Sequence, residues 1–512
     1  MRIDKLTIDN FKNLKKFSID LDETQLTSVL IGCNGAGKSN LLEALVIIFR
    51  DLDLKNMTTT FTYEITYHCT NHVIRIRSDK EKSSPQYEVD GKKVGKKAFY
   101  DMKTQVLPAN VFAYYSGPSN RLEKYFEKHQ DRFYRALLNG DDDALRPLFY
   151  ARMIHSNFVL LAFFSFFEEQ NAKFLRDYFE IDSVESILFE LHQPNWSTTK
   201  KSKALHKSDF WGSRGVVRGF LDDLYQYATA PIKETVTFKH EFSTETKEVI
   251  YLYLKDQETL GAFAKKYGSN EEFFKFLEST YLSDLIEEIR IKIRKTDGTV
   301  ITFNELSEGE QQLLTVLGLL KFTKSKESLF LLDEPDTHLN PAWKFDYLKL
   351  LQDVVGSTEN SQIIISTHDP IVIGGLTKEA VSIFERNTAG TTVRMPETDP
   401  KGMGVAGLLT SELFDLPSTL DRETQAELDR KRQLQYKQNR TADENAELAS
   451  LEEKLQGLGF TRTIRDPLYD KFLEKLYSLP QFQNTPIKDA ERKEMTALMD
   501  DILTEIMEEE NK

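Results

Sequence analysis

The chain has 512 residues, 40% of them apolar, with 67 Lys plus Arg against 81 Asp plus Glu and a formal net charge of -14. That length allows two to four domains and a sizeable core, and the acidic balance excludes a protein that holds nucleic acid by overall charge, so any DNA contact needs a local patch. Two cysteines, Cys33 and Cys69, are too few for a disulfide framework or a cysteine metal cluster, and a reducing, cytoplasmic setting is expected.

The opening stretch, MRIDKLTIDNFKNLKKFSIDL, alternates polar and apolar residues and has no apolar run of signal-peptide type. Residues 3–8 and 17–21 read as paired strands. Residues 28–31 are a short apolar run of strand type, and residues 40–49 (NLLEALVIIF) read as a buried helix. Between them stands Gly32-x-x-x-x-Gly37-Lys38-Ser39, a complete P-loop. Its glycines let the backbone bend sharply and bring N–H groups against phosphate oxygens. Lys38 is the residue type that reaches β- and γ-phosphates, and Ser39 supplies a hydroxyl ligand for Mg²⁺. The helix start then faces the anion. Asn34, Gly35, Ala36, Gly37, Lys38, Ser39 and Asn40 are therefore the candidate nucleotide-binding residues.

Residues 61–67 and 73–77 alternate as strands, and 87–94 carries Asp90-Gly91, a hairpin signal. Residues 111–116 (VFAYYS) read as another buried strand. From 119 to 230 the chain becomes helical and aromatic, notably over 133–138, 145–167 and 172–179. It has no sustained heptads, so a compact helical insertion is expected there. Its longest apolar run, 158–167, is too short to span a bilayer, which takes roughly 20 residues; it reads as a core helix, and no membrane partner is expected. Residues 198–218 hold Lys200, Lys201, Lys203, Lys207, Arg214 and Arg218 near Trp196 and Trp211. Such a stretch is either a nucleic-acid contact through phosphates and stacking or a solvated basic loop.

Strands return at 235–242, 248–254, 289–293 and, after Asp297-Gly298, at 300–303. Leu306-Ser307-Glu308-Gly309-Glu310-Gln311-Gln312 follows. Ser307 and Glu310 form a capping box for a helix running through Leu320, and that helix start is an anion site of its own. Residues 328–332 (SLFLL) run into Asp333-Glu334, a Walker B strand. Asp333 is the candidate Mg²⁺ ligand together with Ser39, and Glu334 is placed to polarise the attacking water. Residues 362–366 form a further strand that delivers Thr367 and His368 to the same sheet edge, where open α/β sheets bind ligands. Glu334 and His368 are thus the candidate catalytic pair, with ATP and Mg²⁺ as cofactors. Two phosphate-binding helix starts in one chain are not expected both to serve one nucleotide. The economical arrangement is a homodimer, or a higher homo-oligomer, in which Ser307, Gly309 and Glu310 of each subunit close the ATP site of another.

Residues 398–512 are mostly helical and charged. Thr441 and Glu444 form a capping box, Leu448, Leu451 and Leu455 make an apolar stripe, and Gly457 and Gly459 stop that helix. Asp466-Pro467 starts another, with Leu468, Phe472 and Leu476 on one face.

The P-loop, LSEGEQQ, LLDEP and STHD, with a long insertion between the first two, resemble the ABC-type ATPases of the SMC, RecF and overcoming-lysogenization-defect group. The resemblance implies an α/β fold: an ABC-type P-loop ATPase head made of residues 1–118 and 231–397, a helical insertion at 119–230 and a C-terminal helical, partner-binding region at 398–512. Two positions depart from the group. Glu308 stands where transporters usually have Gly, and Tyr115-Ser116-Gly117 stands where a Q-loop Gln is expected. Farther on, Gly402-Met403-Gly404-Val405, Leu416-Pro417-Ser418-Thr419-Leu420-Asp421 and Arg465-Asp466-Pro467-Leu468-Tyr469 resemble the PtuA ATPases of Septu anti-phage systems. That resemblance implies a regulatory ATPase in a bacterial defence complex, encoded beside an HNH endonuclease and reaching DNA through the complex. Two alternatives stand beside it. One is an overcoming-lysogenization-defect-type nuclease in this same chain, which needs a Glu at one strand end and an Asp-x-Asp at another; after His368 the nearest candidates are Glu385 and Asp399, and no Asp-x-Asp follows. The other is a RecF/SMC-like DNA-repair ATPase with no nuclease partner.

Overall fold

The computed structural model describes residues 1–458 apart from 57, 83, 120, 140–146, 167, 199–208, 241–242, 324–326, 356–360 and 389. The chain forms two compact units, Met1–Val405 and Ala406–Lys512. The expected second tail helix, with Arg465, Asp466, Pro467, Leu468, Tyr469, Phe472 and Leu476, lies outside the described residues, as do Gly459, Lys200, Lys201, Lys203 and Lys207.

At the centre of the larger unit is a seven-stranded sheet. Its order is Gly390–Arg394, Val381–Asn387, Thr27–Gly32, Ser361–Ser366, Ser328–Asp333, Asn110–Tyr115 and Leu148–Tyr150. Every neighbouring pair is parallel except the first. Parallel strands are buried on both faces and so read as continuous apolar runs. SLFLLD and SQIIIS are buried at every position, and TSVLIG and NVFAYY at all but the last. The register levels their ends: Asp333 pairs with Ser366 and with Tyr115, and Ser366 pairs with Leu30. One edge of the sheet therefore collects Gly32, Asp333, Ser366 and the residues that follow each.

A six-stranded antiparallel sheet has the order Phe17–Asp20, Arg2–Asp9, Thr62–Cys69, His72–Ser78, Gln86–Val89 and Lys92–Val94. Thr62–Cys69 alternates half-buried and buried residues along its whole length, as a one-sided strand must. Asp90 and Gly91 take φ of 51° and 75°, the left-handed pair a two-residue hairpin turn requires. The P-loop helix, Lys38–Asp53, shares a single apolar core with this sheet; Phe49 meets the Tyr67 ring edge-on at 5.6 Å.

The segment 119–230 corrects the expectation of a purely helical insertion. It has the helices Glu127–Asn139, Ile154–Ser165, Glu169–Phe179 and Gly215–Tyr227, but also the strands Leu148–Tyr150 and Ile181–His192. The second of these is central to a five-stranded antiparallel sheet, ordered Thr229–His240, Ser243–Leu254, Ile181–His192, Ile286–Lys295 and Val300–Thr302. Register shifts between Ile181 and Ser183 and between Val184 and Ser186 hide this strand in the sequence. They space the buried residues Ile181, Val184 and Ile187 three apart, which imitates a helix face; only Ile187, Phe189 and Leu191 keep the period of two. Of the apolar run 158–167 read as a core helix, 158–165 lie in the helix Ile154–Ser165, which is buried at all but its first position; Phe166 is extended and 167 lies outside the described residues. That helix packs against the helix Glu308–Thr323, where Gly318 leaves room for Val159. Among the described residues no helix is long and apolar enough to cross a membrane.

In the smaller unit, Arg422–Tyr436 and Ala442–Gly457 form a charged helical pair. Thr441 and Glu444 make the expected capping box, Arg430 bridges to Glu447 at 2.7 Å, and Leu434 and Leu455 are buried.

Candidate nucleotide-binding site

The P-loop is shaped by three glycines at positive φ: 136° at Gly32, 79° at Gly35 and 116° at Gly37. Gly32 has a second constraint, since a Cβ there would overlap the carbonyl oxygen of Phe384 on the adjoining strand. Gly37 is the N-cap of the helix Lys38–Asp53 and offers no side-chain cap, and no acidic residue stands in the first turn. The helix start thus keeps N–H groups available for an anion. Lys38 is 6% exposed, and its Nζ donates to the carbonyl of Gly32 at 2.6 Å and approaches that of Cys33 at 3.5 Å. Burial lowers its pKa, while the charges of Glu334 and Asp333 act in the opposite sense. Cys33, Asn34 and Gly35 are exposed, Ala36 is buried, and Ser39 and Asn40 are half-buried.

Asp333 is fully buried. Its Oδ1 accepts from Ser39 at 3.0 Å and from the hydroxyl of Ser366. Its Oδ2 has no hydrogen-bond partner among the described residues. Burial raises its pKa against the pull of those two hydroxyls. A buried, half-used carboxylate beside two hydroxyls is an oxygen donor set suited to a hard cation such as Mg²⁺, which is held by one or two carboxylates plus phosphate oxygens and water. The residues present therefore fit Mg²⁺ with a nucleotide triphosphate: Ser39 and Asp333 would hold the metal, and Lys38 with the helix start would hold phosphates.

Glu334 follows directly, with φ of 53°. Its Oε1 lies 3.4 Å from Nδ1 of His368, both side chains being partly open to solvent. The structure thus brings Lys38, Ser39, Asp333, Glu334 and His368 to one sheet edge. It does not bring Ser307, Gly309 and Glu310 there. Among the described residues, none of the hydrogen bonds of those three reaches the P-loop. Ser307 donates from its N–H and its hydroxyl to Glu310 Oε2, at 2.7 and 2.8 Å, and Glu310 N–H donates back at 3.3 Å. Lys295 stands 3.5 Å from the other Glu310 oxygen. A cleft of about 610 Å³ runs from Tyr115-Ser116-Gly117 to Leu306, Glu308 and Gln311. At the position where a Q-loop Gln is expected, Ser116 Oγ lies 3.1 Å from Thr337 Oγ1, in the loop after Walker B.

Sequence reasoning missed a set of supporting side chains. Asn13 donates to the Gly35 carbonyl at 3.0 Å and accepts from Asn40 at 2.6 Å, and Thr391 donates to the Ala36 carbonyl at 2.7 Å. Below them Glu43, fully buried, accepts from Arg121 at 3.0 and 3.1 Å, from Tyr125 at 2.8 Å and from Lys12. Burial raises the Glu43 pKa, but these donors outweigh it and the net shift is downward. The signal was an acid inside the apolar run NLLEALVIIF, because a buried charge must find partners.

The sequence profile of the AAA ATPase domain family matches residues 1–373 of the 512. The chain belongs to that family and is an ATPase, its head an α/β fold. Septu protein PtuA of Bacillus mycoides (strain KBAB4) is 28% identical over 172 residues, which cover 30% of this chain and 23% of PtuA. The Retron Vc95 probable ATPase of Vibrio cholerae is 26% identical over 210 residues, covering 34% of this chain and 40% of that protein. The matches thus span less than half the length of these two relatives. Among solved structures, the SMC head domain from Thermotoga maritima aligns over 78% of this chain and 100% of that one, at 15% identity and a TM-score of 0.33.

Proposed function

We propose that this chain is the ATP-hydrolysing regulatory subunit of a bacterial anti-phage defence complex, and that its nucleotide state gates a partner HNH endonuclease that cuts DNA. The hydrolytic part rests on one observation: Lys38, Ser39, Asp333, Glu334 and His368 converge at a single sheet edge, with Asp333 Oδ2 left unpartnered. In this reading the residues 34–40 bind the triphosphate, with Lys38 on its β- and γ-oxygens. Ser39 and Asp333 hold Mg²⁺, which when bound neutralises charge on the phosphoryl oxygens. Glu334 orients the attacking water and accepts its proton, and His368 steadies the Glu334 carboxylate and meets the terminal phosphate. Ser307, Gly309 and Glu310 of a second copy close the site, and Ser307 then exchanges its bond to Glu310 for a phosphate oxygen.

The defence role is supported by the likeness to Septu protein PtuA and by the tail motifs that resemble the PtuA ATPases. In the proposed division, residues 1–118 and 231–397 form the head, 119–230 the insertion and 398–512 the partner-binding region, in a cytoplasmic complex. An ATPase without an output site of its own acts through what is docked on it, and nucleotide biases only states it binds differently. Among the described residues no cluster of three or more His, Cys, Asp or Glu side chains could hold a metal ion.

The test is co-expression with the neighbouring gene product. The purified chain is expected to hydrolyse ATP and to leave DNA intact in Mg²⁺ or Mn²⁺, while the co-purified complex cuts DNA at a rate that changes with ATP concentration. DNA cleavage by the chain alone, abolished by mutating acids after His368, would replace this reading with the single-chain nuclease.

A further inference from the structure

Glu334 holds a left-handed backbone conformation, φ of 53°, that is costly for any residue other than glycine, and such a conformation persists only where its surroundings fix it. Few hydrogen bonds among the described residues hold it, one of them from the Thr337 N–H to the Glu334 carbonyl at 3.4 Å. The Glu334 N–H donates to the Ser366 carbonyl at 2.9 Å. Its carbonyl accepts from the Thr337 hydroxyl at 2.9 Å. The next residue is Pro335, which has no N–H to give, so its carbonyl is the remaining backbone handle beside Glu334. That carbonyl accepts from the side-chain amide of Gln312.

Gln312 is not part of the Walker B loop. It sits one turn into the helix Glu308–Thr323, whose first residues follow Ser307. It is 1% exposed, and its Oε1 has no hydrogen-bond partner among the described residues. An amide buried with half its capacity unmet costs stability, so one strong contact is what the position retains it for. Two further contacts bind the same helix start to the same loop. Gly309 lies so close to the His338 carbonyl that a Cβ would overlap it, and Glu308 stands 3.4 Å from His338.

We propose that Gln312 is a positioning residue for hydrolysis: it ties the helix start that carries Ser307 to the backbone of Glu334 in the same subunit. A displacement of that helix start, as when it meets a phosphate held by a neighbouring copy, is carried through Pro335 to the carboxylate that activates water. Each subunit then sets its own base according to the nucleotide on the other. The inference rests on the proposed reading of Glu334 as the general base.

The experiment compares Gln312→Met, Glu334→Gln and the double variant in the full-length chain, with turnover, ATP affinity by calorimetry and melting temperature measured for each. Methionine keeps the volume and removes the donor. Gln312→Met is expected to lower kcat by about 10²-fold, the usual consequence of displacing a catalytic group by roughly 1 Å, with KM, ATP affinity and melting temperature unchanged. The double variant is expected to be no slower than Glu334→Gln, because Gln312 acts only through that carboxylate. Wild-type kcat in Gln312→Met overturns the inference. So does a double variant slowed beyond Glu334→Gln by the full Gln312→Met factor, or a loss of ATP affinity that accounts for the loss of turnover. Should Gln312→Met not fold, Gln312→Leu, apolar, slightly smaller and without a donor, takes its place with the same expectations. Failure of the base reading shows separately, as undiminished turnover in Glu334→Gln.

Discussion

Lys38 directs its ammonium at two carbonyl oxygens of its own loop, contacts that a triphosphate, on the proposed reading, would replace with charge-assisted ones. Lys38→Ala is expected to abolish or greatly weaken ATP binding in calorimetry; wild-type affinity would contradict the assignment. Glu334→Gln keeps the shape of the site and removes the proposed base. It should retain ATP binding and slow hydrolysis by roughly 10²–10⁴-fold, and undiminished phosphate release would show that the base lies elsewhere. The Glu43 network makes a third claim at this scale. Its folded pKa is depressed below the ordinary 4.5, since the donors Lys12, Tyr125 and Arg121 outweigh burial. A depressed carboxylate contributes stability above its unfolded pKa and loses it as pH falls through the folded value. Glu43→Gln should therefore cost about 2 kcal/mol at neutral pH, a penalty that shrinks below pH 4.5. A melting-temperature difference that stays constant with pH would contradict this. The Walker residues were legible because each is dictated within a few positions of chain. Arg121 was not, because Glu43 lies 78 positions away and nothing local marks the pairing.

At the scale of elements, legibility followed the regularity of the strand. The runs at 328–332 and 362–366 have uninterrupted apolar centres, 329–332 and 363–365, and the structure has strands there with their ends in register. The hairpin at Asp90-Gly91 was legible from its turn chemistry. Ile181–His192 was not, because two register shifts break its alternation, and neither was Leu148–Tyr150, three residues long and paired only at an edge. The close contact of Gly32 with Phe384 belongs to this scale. In Gly32→Ala the P-loop strand and its neighbour Val381–Asn387 must part. Melting temperature and ATP affinity should fall together. A variant that loses neither would show that the strands yield without disturbing the loop.

At the scale of the whole molecule, one chain carries two helix starts suited to phosphate. The first, at Gly37-Lys38, is uncapped by any side chain. The second, at Ser307, is closed by its own Glu310 and makes no hydrogen bond to the first among the described residues. This division was visible in the sequence as two motifs with incompatible positions on one nucleotide. What was not visible is that the second motif is fastened to the loop carrying Glu334, through Gln312 and Gly309, because those contacts join segments more than 20 residues apart. On the proposed reading the site is completed by a second copy, and ATP would then govern assembly as well as chemistry. Ser307→Arg should accordingly bind ATP and fail to hydrolyse it. The most direct measurement mixes Ser307→Arg subunits with Lys38→Ala subunits, each inactive alone, and follows phosphate release. A hybrid pair has one intact P-loop facing one intact Ser307, so hydrolysis should return on mixing. No recovery, in a mixture shown by differential tagging to contain hybrids, would contradict the shared site.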